Sequence, residues 1–386
     1  MRIGVISPEF PPEIGGIQTY SFEFVRELVR RGYAVSVFTL PHAEGEISLP
    51  GVRILPVLKL RRALDRPLLQ DRAIDAWHVM NAAYAWVALE TAPVVISVHG
   101  NDFLKPYFPT QQPDLQRVPV LWRSRRWWPA VENALGWWLT RRTVRRALPK
   151  AAHILSNSKY TERALLERYP ACKGLTSAGM VGVSPEFLVP ERFRVNAGRS
   201  RLITVCRLAE ARKNVDLVLQ ALVLLKESYD FSYTIVGTGP LRSGLERMAQ
   251  KLGLQSRVRF AGSVASPELR SLLTASDLFI LTSSIHPTSH EGFGIAYLEA
   301  NACGTPVLAA RLAGAVEAVA EGVSGYFVDQ PSATSIADAL KRFLSGALVF
   351  DPEACRAFAS KFTWQKVVDH ALDFYRRPGY DRGSRR

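Results

Sequence analysis

The chain has 386 residues, 47% hydrophobic and 22% charged, which suits a soluble globular protein of two domains at ~150 residues each. Its net charge of +14 favours an acidic partner, whether a nucleotide, a nucleic acid or an anionic membrane surface. The four cysteines form no C-x-x-C pair, which argues against a metal site or a disulfide framework and for a reducing compartment. No apolar run reaches ~18 residues, so no bilayer span is expected, and residues 1–9 read as a short strand rather than a signal peptide.

Residues 2–7 predict a buried strand, and residues 18–31 an amphipathic helix. Between them lies a loop carrying Gly15 and Gly16, and residues 34–39 predict a second strand. This is the opening of a doubly wound domain. The glycine doublet does not match G-x-G-x-x-G, so a dinucleotide cofactor is not indicated. It is either a plain tight turn or a device that lets the helix start approach a ligand phosphate.

Residues 52–57 predict a strand and residues 77–92 a helix. Residues 93–98 predict a buried strand that delivers His99, Gly100, Asn101 and Asp102 at its carboxyl end, where ligands bind in open α/β sheets. His99 is placed there to hydrogen-bond a substrate hydroxyl or to carry a proton.

Residues 118–150 hold five of the eight tryptophans and eight basic residues, against the single acid Glu132. Arginines interleaved with apolar and aromatic residues suit a helix lying in an anionic membrane interface. The competing reading packs the tryptophans on the core and leaves the arginines solvated. Single-stranded nucleic acid is not supported, because no RRM, KH or zinc-knuckle pattern accompanies the stretch. Residues 152–158 predict the last strand of the first domain, and residues 159–169 a helix opened by a Ser or Asn cap. The polar, proline-containing residues 189–201 mark a linker.

The alternation then restarts. Residues 201–206 predict a strand, followed by a basic loop carrying Arg207 and Lys213 and a helix that Asp216 caps. Both cations follow a strand's carboxyl end and can face a pyrophosphate. Residues 231–236 predict a strand that turns through Gly237 and Gly239 into a helix. A strand and turn at residues 258–264 and a short helix at 267–275 follow, then a strand at 277–282.

That last strand leads into a loop with Glu291, Gly292, Phe293 and Gly294, and a helix from Ile295 that stops at Gly304 and Pro306. The helix start offers free amides and a partial positive charge. Glu291 before it and Glu299 inside it can accept hydrogen bonds from paired hydroxyls. Strands at residues 305–309 and 325–328, a helix at 335–345 and a final helix at 363–375 complete the chain.

These motifs together resemble those of the family 4 retaining glycosyltransferases of the bacterial glycan or lipopolysaccharide type. They are Gly15 and Gly16, His99 with Gly100, Ser156 to Ser158, Gly182, Arg207 with Lys213, Gly237 with Gly239, Phe260 to Gly262, and Glu291 with Glu299 around Phe293 and Gly294. The resemblance covers nearly the whole chain. It implies an α/β GT-B fold: two Rossmann-like doubly wound domains facing across a cleft, with a C-terminal helix returning to the first.

The implied boundaries are 1–180 for an acceptor-binding domain, 181–200 for a linker, 201–362 for a nucleotide-sugar-binding domain, and 363–386 for the crossover helix and basic tail. Glu299 would hold the ribose hydroxyls, and Arg207 and Lys213 would neutralise the leaving diphosphate. Phe293, Gly294 and Ile295 would offer backbone amides. Glu291 would bond a hydroxyl of the transferred sugar, Gly16 would close on the phosphate, and His99 would contact the sugar near its anomeric centre. Residues 237–240 and Val264 would border the base. The histidine-containing loop 286–290 departs from the family pattern and bears on donor choice.

The implied activity is a retaining, metal-independent transfer of a hexose from a GDP- or UDP-sugar to an acceptor hydroxyl, with no cofactor. The acceptor would be a lipid-linked or lipopolysaccharide-type glycan at the inner face of the cytoplasmic membrane. Alternatives are a soluble small-molecule acceptor, or an epimerase or phosphorylase on the same architecture.

Overall fold

The computed structural model describes residues 1–12, 15–41, 48–106, 128–188 and 198–376. Side chains are described from residue 134 in the segment that resumes at 128. Residues 118–127, the greater part of the linker 189–201 and the end of the basic tail lie outside the described residues. The chain divides into two compact units. The first comprises Met1–Glu13, Ile17–Gly179 and the chain from Val367, and the second contains Met180–Lys366.

The first unit is built on seven parallel strands: β1 (Arg2–Ile6), β2 (Ala34–Thr39), β3 (Val52–Pro56), β4 (Ala76–Val79), β5 (Val94–Val98), β6 (His153–Ser156) and β7 (Thr176–Ala178). Their order is β3-β2-β1-β4-β5-β6-β7. A parallel sheet covered on both faces selects continuous apolar runs, and every residue of β5 is buried. The strand order reverses between β1 and β4, so the loops after these strands leave toward opposite faces.

Two sequence expectations fail in this unit. The span 77–92 is strand β4 followed by a 3-10 segment, Ala82–Leu89, and not one helix. Four buried residues are too few to show a strand's period, and the alanine-rich segment behind them imitates a helix. Asn81 opens that segment by accepting the Ala83 amide. Strand β6 is also not the last of its sheet, because the three-residue β7 pairs with it.

The final helix, Trp364–Tyr375, belongs to the first unit from Val367 onward. Within that unit the Tyr375 hydroxyl bonds Nδ1 of the fully buried His78, and Phe374 stacks on His153 at 3.6 Å.

The second unit carries six parallel strands: β8 (Ser200–Val205), β9 (Phe231–Val236), β10 (Val258–Gly262), β11 (Leu278–Leu281), β12 (Val307–Ala310) and β13 (Gly325–Val328). Their order, β10-β9-β8-β11-β12-β13, is that of a dinucleotide-type Rossmann domain. The helix Val215–Leu225 packs Val218, Leu219 and Leu222 against Tyr233, Ile235 and Ile280 of the sheet in one buried core.

The expected Asp216 cap is corrected. Asn214 occupies the N-cap in a left-handed conformation, and Asp216 lies inside the first turn. The helix Ile295–Ala302 ends as its sequence requires. Gly304 adopts φ +77°, its amide bonds the Asn301 carbonyl, and the Thr305 amide bonds the Ala300 carbonyl. Both hydrogen bonds of the Schellman motif are therefore present.

Candidate active site

Strands β8 and β11 are neighbours, with Leu202 opposite Leu278, and their carboxyl ends form the switch point of the second sheet. The loop after β8 carries Arg207 and runs through a short 3-10 turn, Ala211–Lys213. The loop after β11 runs to the helix Ile295–Ala302. Asn214 stitches the two. Its left-handed backbone, φ +56°, turns its side-chain amide onto the Thr282 carbonyl at 2.6 Å and the Ser284 hydroxyl at 2.7 Å. The Ser284 amide returns a bond to the Arg212 carbonyl at 2.7 Å.

This stitching brings Lys213 and Glu291, 78 residues apart, into a 2.7 Å charge-assisted hydrogen bond. The Ser283 hydroxyl donates to the same carboxylate oxygen at 2.9 Å, and the Arg212 guanidinium lies 3.6 Å from it. Burial alone would raise the Glu291 carboxyl. Lys213 and Arg212 outweigh it and hold the group at about 2. Arg212 also bonds the Glu210 carboxylate at 2.7 Å and the Ser289 hydroxyl at 2.5 Å, and Ser289 in turn donates to Glu210 at 2.7 Å. His290 beside them is held at about 4, by burial first and then by the Arg212 charge.

Lys213 therefore stands against Glu291, and Arg212 against Glu210 with Glu291 nearby, so these four groups balance. Arg207 is different: it is exposed, and among the described residues it has no hydrogen-bond or ion-pair partner. Arg207 and the helix start at Ile295 are each suited to meet an anion at this sheet edge.

The glycines have separate local causes. Gly294 sits at φ +93°, and a Cβ there would lie 2.3 Å from the Tyr297 ring. Tyr297 is pinned by its hydroxyl to the Leu281 carbonyl at 2.8 Å. Gly237 and Gly239 let their turn press on the backbone after β8, since a Cβ on Gly237 would lie 1.9 Å from the Cys206 carbonyl oxygen. Phe293 is buried, its ring against that of Phe362 with centroids 5.6 Å apart. Ile295 and Val264 are half-buried, and the Glu299 side chain is buried in the helix.

Sequence reading overlooked Arg212, Glu210, Ser283 and Ser289. Arg212 adjoins Lys213, but no spacing rule separates the arginine that packs inward from Arg207, which does not.

Gly15 and Gly16 stand at the start of the helix Gly16–Arg30, and a Cβ on Gly16 would meet nothing within 4 Å. His99 follows β5 directly. The Asp102 carboxylate accepts its amide at 2.9 Å, and the Tyr20 ring meets its imidazole edge-on at 4.7 Å. Burial lowers the imidazole's pKa, against the pull of Asp102 and a hydrogen bond to the backbone of Met80. Among the described residues no group of three or more His, Cys, Asp or Glu side chains could hold a metal ion.

Comparison with known proteins places the chain in a family. The profile of "Glycosyltransferase Family 4" matches residues 14–174, and that of "Glycosyl transferases group 1" matches residues 190–361. The chain is 26% identical over 374 residues to the GDP-mannose-dependent alpha-(1-6)-phosphatidylinositol monomannoside mannosyltransferase of Mycolicibacterium smegmatis, covering 92% of this chain and 90% of that one. It is 26% identical over 397 residues to the D-inositol 3-phosphate glycosyltransferase of Mycobacterium bovis, covering 95% and 79%.

Among solved structures, Anabaena Alr3699/HepE in complex with UDP and glucose superposes with a TM-score of 0.68 at 19% identity, covering 96% of this chain and 98% of that one. The two matched segments take in most of both units, the two parallel α/β sheets are those of the GT-B fold, and the chain belongs to the family 4, group 1 glycosyltransferases.

Proposed function

We propose that the chain moves a hexose from a GDP- or UDP-sugar to an acceptor hydroxyl with retention at the anomeric carbon. The observation that carries this reading is the second unit's switch point. There the loop after β8 carries Lys213, paired with Glu291, and an exposed Arg207 that has no partner among the described residues, and the loop after β11 leads to the start of the helix Ile295–Ala302. Arg207, Lys213 and the helix amides meet the charge that develops on the diphosphate as the bond from the anomeric carbon to the phosphate oxygen breaks. This reading assigns that task to the chain's own cations and needs no metal.

Glu291 is ionised over the whole physiological range, so it acts as a hydrogen-bond acceptor for a sugar hydroxyl while anchoring Lys213. Glu299, inside the helix Ile295–Ala302, takes the ribose hydroxyls. The acceptor oxygen bonds to the anomeric carbon on the face the diphosphate leaves, and its proton passes to the departing phosphate oxygen. Two relatives whose names specify a mannosyltransferase and an inositol 3-phosphate glycosyltransferase support this class of reaction. Glu299→Ala tests the site: transfer falls nearly to background while unfolding stays cooperative, and wild-type turnover would remove Glu299 from it.

The reading extends to an acceptor at a membrane surface. The helix Trp128–Ala147 exposes Leu135, Trp138 and Leu139 at 55, 50 and 50%, with Arg142, Arg145 and Arg146 also exposed on it. An apolar patch ringed by arginines suits an anionic leaflet, at about 1 kcal/mol per basic residue near the surface. The proposed seat is the inner face of the cytoplasmic membrane, with a lipid-linked or lipopolysaccharide-type glycan as acceptor. Among the described residues no helix is long and apolar enough to cross a membrane. The protein is expected to float with anionic liposomes at low salt and to lose that affinity in Trp138→Ala. Equal recovery with neutral liposomes would count against the leaflet.

A further inference from the structure

Tyr375, the last residue of the final helix, reaches the interior of the first sheet through a chain of buried polar side chains. Its hydroxyl bonds His78 Nδ1 on β4, and His78 Nε2 bonds the Ser97 hydroxyl on the neighbouring β5 at 2.8 Å. Ser97 meets the hydroxyl of Tyr20, on the helix that follows β1, at 3.3 Å. All four residues are at most 4% exposed. His99 stands two residues beyond Ser97, the spacing that returns a side chain to the same face of an extended chain. The Tyr20 ring meets its imidazole edge-on at 4.7 Å.

This chain is uncharged and acts as a unit. Burial holds His78 at about 3, with nearby His99 as a smaller cause, and raises the Tyr20 hydroxyl to about 12 and the Tyr375 hydroxyl further still. A neutral imidazole donates from one ring nitrogen and accepts at the other, so reversing the His78 tautomer reverses the roles of Tyr375 and Ser97 together. At the far end, His99 has few holds of its own. Its side chain hydrogen-bonds the backbone of Met80, and its Nε2 is buried with no hydrogen-bond partner among the described residues. The Tyr20 ring is therefore the second constraint on the imidazole plane. The other titratable groups facing His99 are Asp102, from the turn after β5, and His78.

We infer that Tyr375 is a positioning residue for His99: through His78, Ser97 and Tyr20, the docked final helix holds the imidazole in the orientation from which it meets the transferred sugar. The inference rests on the reading of His99 as a sugar contact in a sugar transferase. It gives the final helix a task besides covering the sheet. Loss of the Tyr375 hydroxyl leaves His78 Nδ1 without a partner in the core. That nitrogen is satisfied again only if the ring turns or water enters, and either event releases Ser97 and Tyr20.

Histidine-selective NMR on the full chain reads the His99 imidazole directly, and hydrolysis of GDP-mannose and UDP-glucose, with water as the acceptor, reads the reaction. Tyr375→Phe keeps the ring and removes the hydroxyl. In it the His99 titration should move up by about half a pH unit or more, toward its ordinary 6.5, because water reaches the imidazole. The kcat of hydrolysis should fall about tenfold. Ser97→Ala breaks the chain at a second point and should give both results, so it carries the test if Tyr375→Phe does not fold. Asp369→Asn removes the 2.5 Å ion pair of the same helix with Arg31, which lies outside the chain, and should leave both readings as in the wild type. A His99 titration unmoved in folded Tyr375→Phe or Ser97→Ala overturns the inference. An equal shift in Asp369→Asn also overturns it, by reducing the effect to helix docking. Wild-type hydrolysis by His99→Ala would instead overturn the sugar-contact reading beneath it.

Discussion

Breaking the Lys213–Glu291 pair from either side should destabilise the second unit far more than breaking it from both. The side chains are only 13% and 11% exposed and lie 2.7 Å apart. Removing one partner leaves a buried charge uncompensated, at a cost of about 3–5 kcal/mol. Depression of the Glu291 carboxyl from its ordinary 4.5 to about 2 gives a second estimate, about 3 kcal/mol. The sign follows from proton affinity: the folded protein holds this proton less tightly than the unfolded chain. Its contribution is therefore complete above about pH 5, declines as pH falls and is gone below about pH 2.

Calorimetry on wild type, Lys213→Met, Glu291→Gln and the double variant measures the effect. Each single variant should lower the second unit's transition by about 6–20 °C, at about 2–4 °C per kcal/mol for a unit of this size. The double variant should lose less than either single variant, recovering at least about 3–5 kcal/mol of the summed loss. Arg212 stays held in Glu291→Gln, because Glu210 still pairs with it. Additivity of the single effects within about 0.5 kcal/mol would show that the two groups are not coupled and would refute the reasoning.

Two further outcomes separate stability from binding. Gly294→Ala forces a side chain into a left-handed backbone, with its Cβ 2.3 Å from a pinned tyrosine ring. Thermal unfolding should show a loss of about 1–3 kcal/mol, and an unchanged transition would mean that the loop relaxes freely. Arg207→Ala removes an exposed side chain, so stability should stay within about 0.5 kcal/mol of wild type while the donor KM rises at least about tenfold. An unchanged KM would take Arg207 out of the donor site.

The sequence showed some parts of this fold clearly and others not at all, for physical reasons. Gly304 and Pro306 announced the end of the helix Ile295–Ala302, because only glycine adopts the left-handed cap cheaply, and the Schellman bonds formed there. Long apolar strands such as β5 and β9 were legible from composition. Strand β4 was not, because its four residues, Ala76–Val79, are few and His78 interrupts their apolar run. Strand β7 was missed because three half-buried residues carry no signal.

At the candidate site, the loops after β8 and β11 could be placed by the alternation of strands and helices. Their joining could not, because it depends on Asn214 taking a left-handed conformation and reaching Thr282, 68 residues away. For the same reason Lys213 and Glu291 looked like two separate ligand groups, and Arg212 passed as a neighbour of Lys213. The charge balance among Arg212, Lys213, Glu210 and Glu291 emerges only once the distances are known.

The central claim is that the switch point of the second sheet cradles a sugar nucleotide. The most direct measurement is a thermal-shift titration of GDP and UDP into wild type and into the Lys213→Met/Glu291→Gln double variant, which keeps the fold but loses the cluster. At 100-fold excess over Kd, one nucleotide should stabilise the wild type by about 2.7 kcal/mol and leave the double variant nearly unmoved. Equal stabilisation of both proteins, or of neither, would contradict the account.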